Sequence, residues 1–216
     1  MRKNKKRHPI RDTRHPNIIA IVGPSASGKT SLANTLAKKL GKNHTAIISQ
    51  DQYYKDWSHL PFKKRGKINF DSPGSFDFRM ITAMLRRLQR WEVVEVPQYS
   101  YKLHKRLKIK KRMLPKRYII VEGLLVLHKK SIRDLFNLKI YVDVDKATSL
   151  ARRITRDLKS RGETIESVCK RYFEDVLPMQ EKYVEPQKKW ANFVLNGSNA
   201  DYRKILDRLA QILKRR

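Results

Sequence analysis

The sequence predicts an α/β fold three layers deep, with helices covering both faces of a central parallel sheet. Three observations carry this reading. Short β-branched apolar runs alternate with segments of helical period along the chain. The first such run leads directly into Gly23-Pro24-Ser25-Ala26-Ser27-Gly28-Lys29-Thr30, which fits the phosphate-binding pattern G-x-x-x-x-G-K-[ST] at every fixed position. Later runs close on carboxylates, at the strand ends where parallel α/β sheets place their ligands. Together they predict a P-loop NTPase fold.

Ile18 to Val22 is the first strand, and Leu32, Leu36 and Leu40 recur at helical spacing after the glycine-rich loop. Gly41 is placed to end that helix. Thr45 to Ser49 reads as the second strand and runs into Gln50-Asp51. Tyr53 to Asp77 holds turn residues and little periodicity, which predicts a long irregular connection. A helix is expected from Ser75 to Trp91, with Ile81, Met84, Leu85 and Leu88 facing the core. Val93 to Val96 is a short strand, and the alternation of Leu103, Leu107 and Ile109 predicts a small β-hairpin with a basic face. Tyr118 to Gly123 is a buried strand ending in Glu122-Gly123, and Leu138 to Val142 another, closed by Asp143 and Asp145. Lys146 to Leu158 is helical, Ile165 to Glu185 is helical with an interruption expected at Pro178, Phe193 to Leu195 is the last strand, and Tyr202 to Leu213 a last amphipathic helix.

A length of 216 residues without a Pro/Gly/Ser-rich linker predicts one substantial domain. No apolar run reaches membrane-spanning length and no signal-peptide core follows the basic N-terminus, so a soluble cytoplasmic protein without a membrane partner is expected. Cys169 is the sole cysteine, which excludes an internal disulfide and a cysteine-held metal; its ordinary reading is a small helix residue. The formal net charge of +30 implies polyanionic partners or a strongly basic proteome background. It gathers in three runs: residues 1–16, read as a disordered arm; Lys102 to Arg117, which contains no acid; and Arg152, Arg153, Arg156, Lys159 and Arg161 on and after a helix. Any one run taken alone also fits a solvated face.

The loop chemistry follows from its residue types. Gly23 and Gly28 let the backbone curl so that successive N–H groups and a helix N-terminus point at phosphate oxygens. Pro24, Ser25, Ala26 and Ser27 occupy the permissive positions, Lys29 neutralises charge, and Thr30 can ligate Mg²⁺.

Read together, the loop, Ser49-Gln50-Asp51, Asn69-Phe70-Asp71-Ser72-Pro73, Pro97-Gln98-Tyr99 through His104-Lys105-Arg106, and Val121-Glu122-Gly123 give a chain that resembles the uridine-cytidine kinase family. Arg133-Asp134-Leu135-Phe136, Tyr141 to Asp145, Arg152-Arg153 through Arg156-Asp157, Arg161-Gly162 and Pro186 to Ala191 extend the likeness to all but the first sixteen or so residues. The resemblance divides the chain into an arm at 1–16 and a P-loop kinase domain at 17–216. It implies transfer of the ATP γ-phosphoryl group to the 5′-hydroxyl of uridine or cytidine with Mg²⁺, and a homo-oligomer, dimer or tetramer. In it Asp51 is the base that orients the hydroxyl, and Thr30 and Glu122 attend the metal. Lys29, Arg153, Arg156 and Arg161 meet the phosphates, Arg153 reaching the acceptor as well. Asp71 reads the ribose, and Tyr99 and His104 hold the pyrimidine.

Three positions depart from the family pattern. Ser100 stands where an aspartate is usual, Glu163 where an arginine is common, and Arg171 where a glutamine is common. A pairing of Glu163 with Arg171 across the lid hinge is expected. Two other functions remain open on the sequence: an RNA-binding protein or RNA 5′-end kinase using the basic arm and hairpin, and a phosphoribulokinase-like or pantothenate-kinase-like enzyme.

Overall fold

The computed structural model describes residues 15–197 and 202–214. Most of the basic N-terminal arm, residues 1–14, lies outside the described residues. Among the described residues there are seven strands: β1 (Asn17–Val22), β2 (Thr45–Ser49), β3 (Val94–Ser100), β4 (Lys105–Met113), β5 (Tyr118–Gly123), β6 (Leu138–Asp143) and β7 (Phe193–Asn196). The helices are α1 (Lys29–Leu40), α2 (Phe62–Arg65), α3 (Phe78–Gln89), α4 (Lys130–Arg133), α5 (Lys146–Arg161), α6 (Ile165–Arg171), α7 (Leu177–Met179) and α8 (Tyr202–Lys214).

Five strands form one sheet in the order β2-β5-β1-β6-β7, every pairing parallel. Strands β1 and β5 lie inside it, and β5 is buried at all six positions, as expected of strands covered on both faces. The two-residue period of a strand sends β1 into two cores. Ile19 and Ile21 join Leu32, Leu36 and Leu40 of α1 and Leu206, Leu209 and Leu213 of α8. Ile18, Ala20 and Val22 join Ile81, Leu85 and Leu88 of α3 and Val94 and Val96 of β3. The sheet is thus the middle of three layers.

Register fixes the working edge. Ser49 of β2 pairs with Glu122 of β5, Ile21 of β1 pairs with Glu122, and Val22 pairs with Gly123. The glycine-rich loop, Asp51 and Glu122 therefore emerge together at the strands' C-terminal ends. Strands β3 and β4 form a separate antiparallel hairpin, longer than the sequence suggested, whose β4 leaves Lys108 to Arg112 exposed.

Some boundaries differ from the sequence reading. Helix α3 begins at Phe78 rather than Ser75, because the Asp77 side chain accepts from the Met80 N–H and so caps the first turn. It ends at Gln89, and Trp91, expected to close it, has a positive φ of 60° and is exposed. The connection from Tyr53 to Asp77 is not wholly irregular: it contains α2 and a single turn at Pro73–Ser75. Pro178 does not interrupt the helical run. It sits in α7, between π-helical stretches at Tyr172–Val176 and Gln180–Val184, where the widened turns accommodate the missing N–H.

Candidate active site

A cleft of about 880 Å³ opens along the working edge, lined by the glycine-rich loop, Asp51, Asp71, Tyr99, His104, Glu122, Arg153 and Arg156 among others. Of the sequence-predicted residues, all but Gly23, Pro24 and Arg161 line it; Gly23 and Pro24 lie behind it at the base of the loop. Arg161 lies in the last turn of α5, and its side chain is outside the described residues.

The donor half is built on β1 and α1. Gly28 has φ 96° and Ala26 φ 56°, left-handed values that turn the chain back over the helix N-terminus. A side chain at Gly23 is excluded by packing, since a Cβ there would lie 2.2 Å from the carbonyl oxygen of Val142 on β6. No side chain caps α1, so its first-turn N–H groups are left for an anion. Lys29 is buried and its Nζ donates to the Pro24 carbonyl across the loop. Burial pushes the Lys29 ammonium below its ordinary pKa of 10.5, against the pull of Glu122 and Asp51. The Ser27 hydroxyl is buried with no hydrogen-bond partner among the described residues. An uncapped helix end, a buried ammonium and an orphan hydroxyl are the complement of a polyphosphate.

Helix α5 lays its basic face over this loop. Arg153 is buried, donates from Nη1 to Ser25 Oγ at 3.1 Å, and approaches Asp157 at 3.4 Å. Arg156 donates from Nε to Asp157 Oδ1 at 2.8 Å. One buried carboxylate thereby orients two guanidinium groups toward the phosphate loop. The Ser149 hydroxyl adds a second tie to the loop, donating to the Ser25 carbonyl at 2.8 Å.

At the centre stand three carboxylates, with Asp51 close enough to act electrostatically on both Asp71 and Glu122. Glu122 is buried and accepts from the Thr30 hydroxyl at 3.4 Å and from Ser49. Burial pushes its carboxyl above the ordinary 4.5, and the Asp51 charge adds to this, while Lys29 opposes it. Gly123 follows it because a Cβ there would lie 2.4 Å from the Gln50 Cβ, and Gln50 is held in turn by accepting from the Leu125 N–H at 2.8 Å. Asp51 lies in the 3₁₀ turn after β2, where Ser49 Oγ accepts from its N–H at 3.4 Å and Tyr101 donates to its Oδ2 at 3.0 Å.

The acceptor half is aromatic. His104, held at φ 47° in the β3–β4 turn, stacks on Phe70 with ring centroids 5.6 Å apart and an interplanar angle of 18°. Tyr99 packs against Tyr54, Phe70 and Tyr101, and its buried hydroxyl has no hydrogen-bond partner among the described residues. Asp71 closes the floor. Its N–H donates to Asn69 Oδ1 at 3.0 Å, and Asn69 Nδ2 donates to Asp175 Oδ1 at 3.0 Å. Burial raises the Asp71 carboxyl above its ordinary 3.8, and the Arg153 charge opposes that rise.

The expected hinge pair is present: Arg171 Nη1 donates to Glu163 Oε1 at 3.2 Å, and Ser167 donates to the other Glu163 oxygen. Ser100 Oγ accepts from the Leu103 N–H at 3.2 Å and so supports the turn rather than the cleft. Sequence reasoning passed over Tyr101, Asp175, Asn196 and Gly197, all of which line the cleft. Asp175 could have been found from its position one helical turn after Arg171. Gly197 could not, since its need for glycine is tertiary: a Cβ there would lie 2.3 Å from the Ser27 carbonyl oxygen.

A sequence profile described as "Phosphoribulokinase / Uridine kinase family" matches residues 18–201. The chain belongs to that family. A uridine kinase of Staphylococcus epidermidis is 44% identical over 184 residues, covering 84% of this chain and 89% of the relative. A uridine kinase of Clostridium tetani is 39% identical over 183 residues, covering 85% and 88%. Among solved structures, one from Bacillus stearothermophilus described as a possible uridine kinase superposes with a TM-score of 0.62 at 19% identity, covering 87% of this chain and 92% of that one. A phosphoribulokinase from Rhodobacter spheroides gives a TM-score of 0.61 at 17% identity, covering 87% and 74%. Both likenesses show the P-loop kinase fold. The chain is a kinase by family, and no helix among the described residues is long and apolar enough to cross a membrane.

Proposed function

We propose that this family member transfers the γ-phosphoryl group of ATP to the 5′-hydroxyl of uridine or cytidine. Relatives named uridine kinase at 39–44% identity over most of the chain support the reaction. The observation that carries the acceptor class is the pairing of an aromatic slot, Phe70 and His104 stacked beside Tyr99, with the half-buried carboxylate of Asp71. A flat base fits the slot, and a ribose diol supplies donors to a carboxylate partly withdrawn from water.

The chemistry asks the protein for in-line placement and for stabilisation of equatorial charge more than for covalent help. Asp51 accepts the proton of the 5′-hydroxyl as its oxygen attacks phosphorus and the bond to the ADP oxygen breaks. Lys29, the α1 N-terminus, Arg153 and Arg156 hold the phosphates. Arg161 ends the same helix and is assigned with them. Tyr99 and His104 seat the pyrimidine. Thr30 and Glu122 offer a hydroxyl and a carboxylate within one ion's reach of each other, a hard-oxygen set suited to Mg²⁺, which takes few protein ligands beside phosphate and water. Glu122, buried with its pKa raised, is a carboxylate whose surroundings favour an added cation. When bound there, Mg²⁺ would neutralise charge on the phosphate oxygens.

Asp71 also weighs against the alternatives. An RNA 5′-end carries a 3′-phosphodiester, and a sugar phosphate carries its own dianion. Either would bring negative charge toward a half-buried carboxylate that Arg153 chiefly, and Lys29 in part, offset. An ADP-release assay over nucleosides, sugar phosphates, pantothenate and 5′-hydroxyl oligoribonucleotides tests the reading. Turnover is expected with uridine or cytidine. For the 2′-deoxy analogues kcat/KM should fall about tenfold, since an unmet acceptor partly withdrawn from water costs about 1–3 kcal/mol. Absence of turnover with every pyrimidine ribonucleoside would overturn it.

A further inference from the structure

Tyr101 stands outside the roles assigned above, yet its hydroxyl donates to Asp51 Oδ2 at 3.0 Å. The contact joins two separate elements. Asp51 belongs to the turn after β2, whereas Tyr101 opens the β3–β4 turn that also carries His104. A second tie runs beside it, the Tyr99 N–H donating to Gln52 Oε1 at 2.8 Å, and the Tyr99 and Tyr101 rings meet edge to face at 5.8 Å. The base and the nucleoside seat are thereby one hydrogen-bonded unit.

We propose that Tyr101 is a positioning residue for the catalytic base, holding the Asp51 carboxylate by Oδ2 so that Oδ1 is presented to the acceptor hydroxyl. The inference rests on the reading of Asp51 as base. A carboxylate on a two-bond side chain can rotate about its terminal torsion, which is broad and shallow when nothing pins it. Asp51 also lies within the electrostatic reach of two other carboxylates, Asp71 and Glu122, so an unpinned Asp51 would turn away from them. A hydrogen bond to a charged acceptor is among the strong ones, and a phenol is rigid enough to fix direction as well as distance. In the reaction the proton passes from the 5′-hydroxyl to Oδ1 as the oxygen–phosphorus bond forms; Tyr101 keeps its own proton throughout. Because Tyr101 sits on the seat hairpin, the base is aimed from the element that grips the nucleobase.

The test is Tyr101→Phe, which keeps the ring and its packing on Tyr99 and removes only the donor. A kcat lower by roughly tenfold is expected, the usual order for losing a charge-assisted hydrogen bond. KM for the nucleoside and for ATP should stay within about twofold, because neither ground-state site is altered. Unchanged kcat, or a raised nucleoside KM with kcat intact, would make Tyr101 a packing residue of the seat and overturn the proposal. Asp51→Asn measured in parallel separates the two readings. If it turns over like the parent, the base assignment fails and takes this inference with it. If it is inactive while Tyr101→Phe keeps the parent kcat, only the Tyr101 proposal fails.

Discussion

Glu122 carries a charge that its surroundings oppose, and stability should register that cost. Burial, with the Asp51 charge adding to it, raises its folded pKa above the ordinary 4.5, so the folded chain holds this proton more tightly than the unfolded one. Stability from this group is therefore fully present below about pH 4.5 and is lost as pH rises through the raised value. Glu122→Gln removes the charge. Its melting temperature, without nucleotide or metal, should exceed that of the parent by a few degrees at neutral pH, on the order of 1 kcal/mol. The difference should vanish on acidification below about pH 4.5, where both side chains are neutral. The same variant should lose the extra stabilisation that Mg²⁺ with ATP gives the parent. Thermal melts across pH check all three, and a variant less stable than the parent at neutral pH would show that Glu122 is a structural ion-pair partner instead. Glu122 was legible in the sequence because sheet topology dictates its place: an acid closing a buried strand must emerge at the ligand edge. Tyr101 was not, because its contact depends on how a hairpin turn folds back over a different strand's end, which no local pattern encodes.

At the scale of elements, the joint between α5 and α6 is built around an acid and a base that pair eight residues apart. Gly162 ends α5 in a left-handed conformation at φ 65°, and Thr164 caps α6 by accepting from the Ser167 N–H. Between them Glu163 is held from both sides, by Ser167 and by Arg171. The pair ties the joint after the helix that carries Arg153 and Arg156 to α6, so the acid and the base compensate each other locally. Glu163→Arg and Arg171→Glu should each lower kcat/KM by about three- to tenfold, since each leaves two like charges facing in a partly exposed site. The double exchange should recover most of the loss. Kinetics on the four proteins measure the coupling, and a double variant no better than either single one would remove the pair from the lid's architecture. The pairing could be anticipated because two residues of opposite sign lay eight apart just after a glycine. The start of α3 could also have been read, Asp77 being a good cap, had Ser75 not offered itself first. The path of the chain through Pro178 could not, because π-helical turns arise from packing and leave no period of their own in the sequence.

For the whole molecule the governing quantity is the net charge of +30, against which the ion pairs are a small offset. Most of them are solvent-exposed, such as Lys110 with Glu95 and Lys130 with Asp134, and pairs of that kind contribute little. A fold so charged repels itself, and salt relieves that repulsion within a Debye length of about 10 Å at 0.1 M. The melting temperature should therefore rise by several degrees from about 10 mM to about 300 mM NaCl, opposite in sign to a protein held by surface ion pairs. The same screening separates the two substrates. ATP is a polyanion drawn into a cleft walled by Lys29, Arg153 and Arg156, whereas uridine and cytidine are neutral. Over that salt range KM for ATP should climb several-fold while KM for the nucleoside stays nearly constant. An RNA acceptor would behave otherwise: with about six phosphate contacts its affinity would fall a few hundredfold between about 50 and 200 mM salt, at a slope near 0.7 per contact. Steady-state kinetics at two salt concentrations with each substrate varied in turn therefore tests which half of the cleft the charge serves. A nucleoside KM that rises in step with that for ATP would place the basic surface on the acceptor side and reopen the polyanionic acceptor.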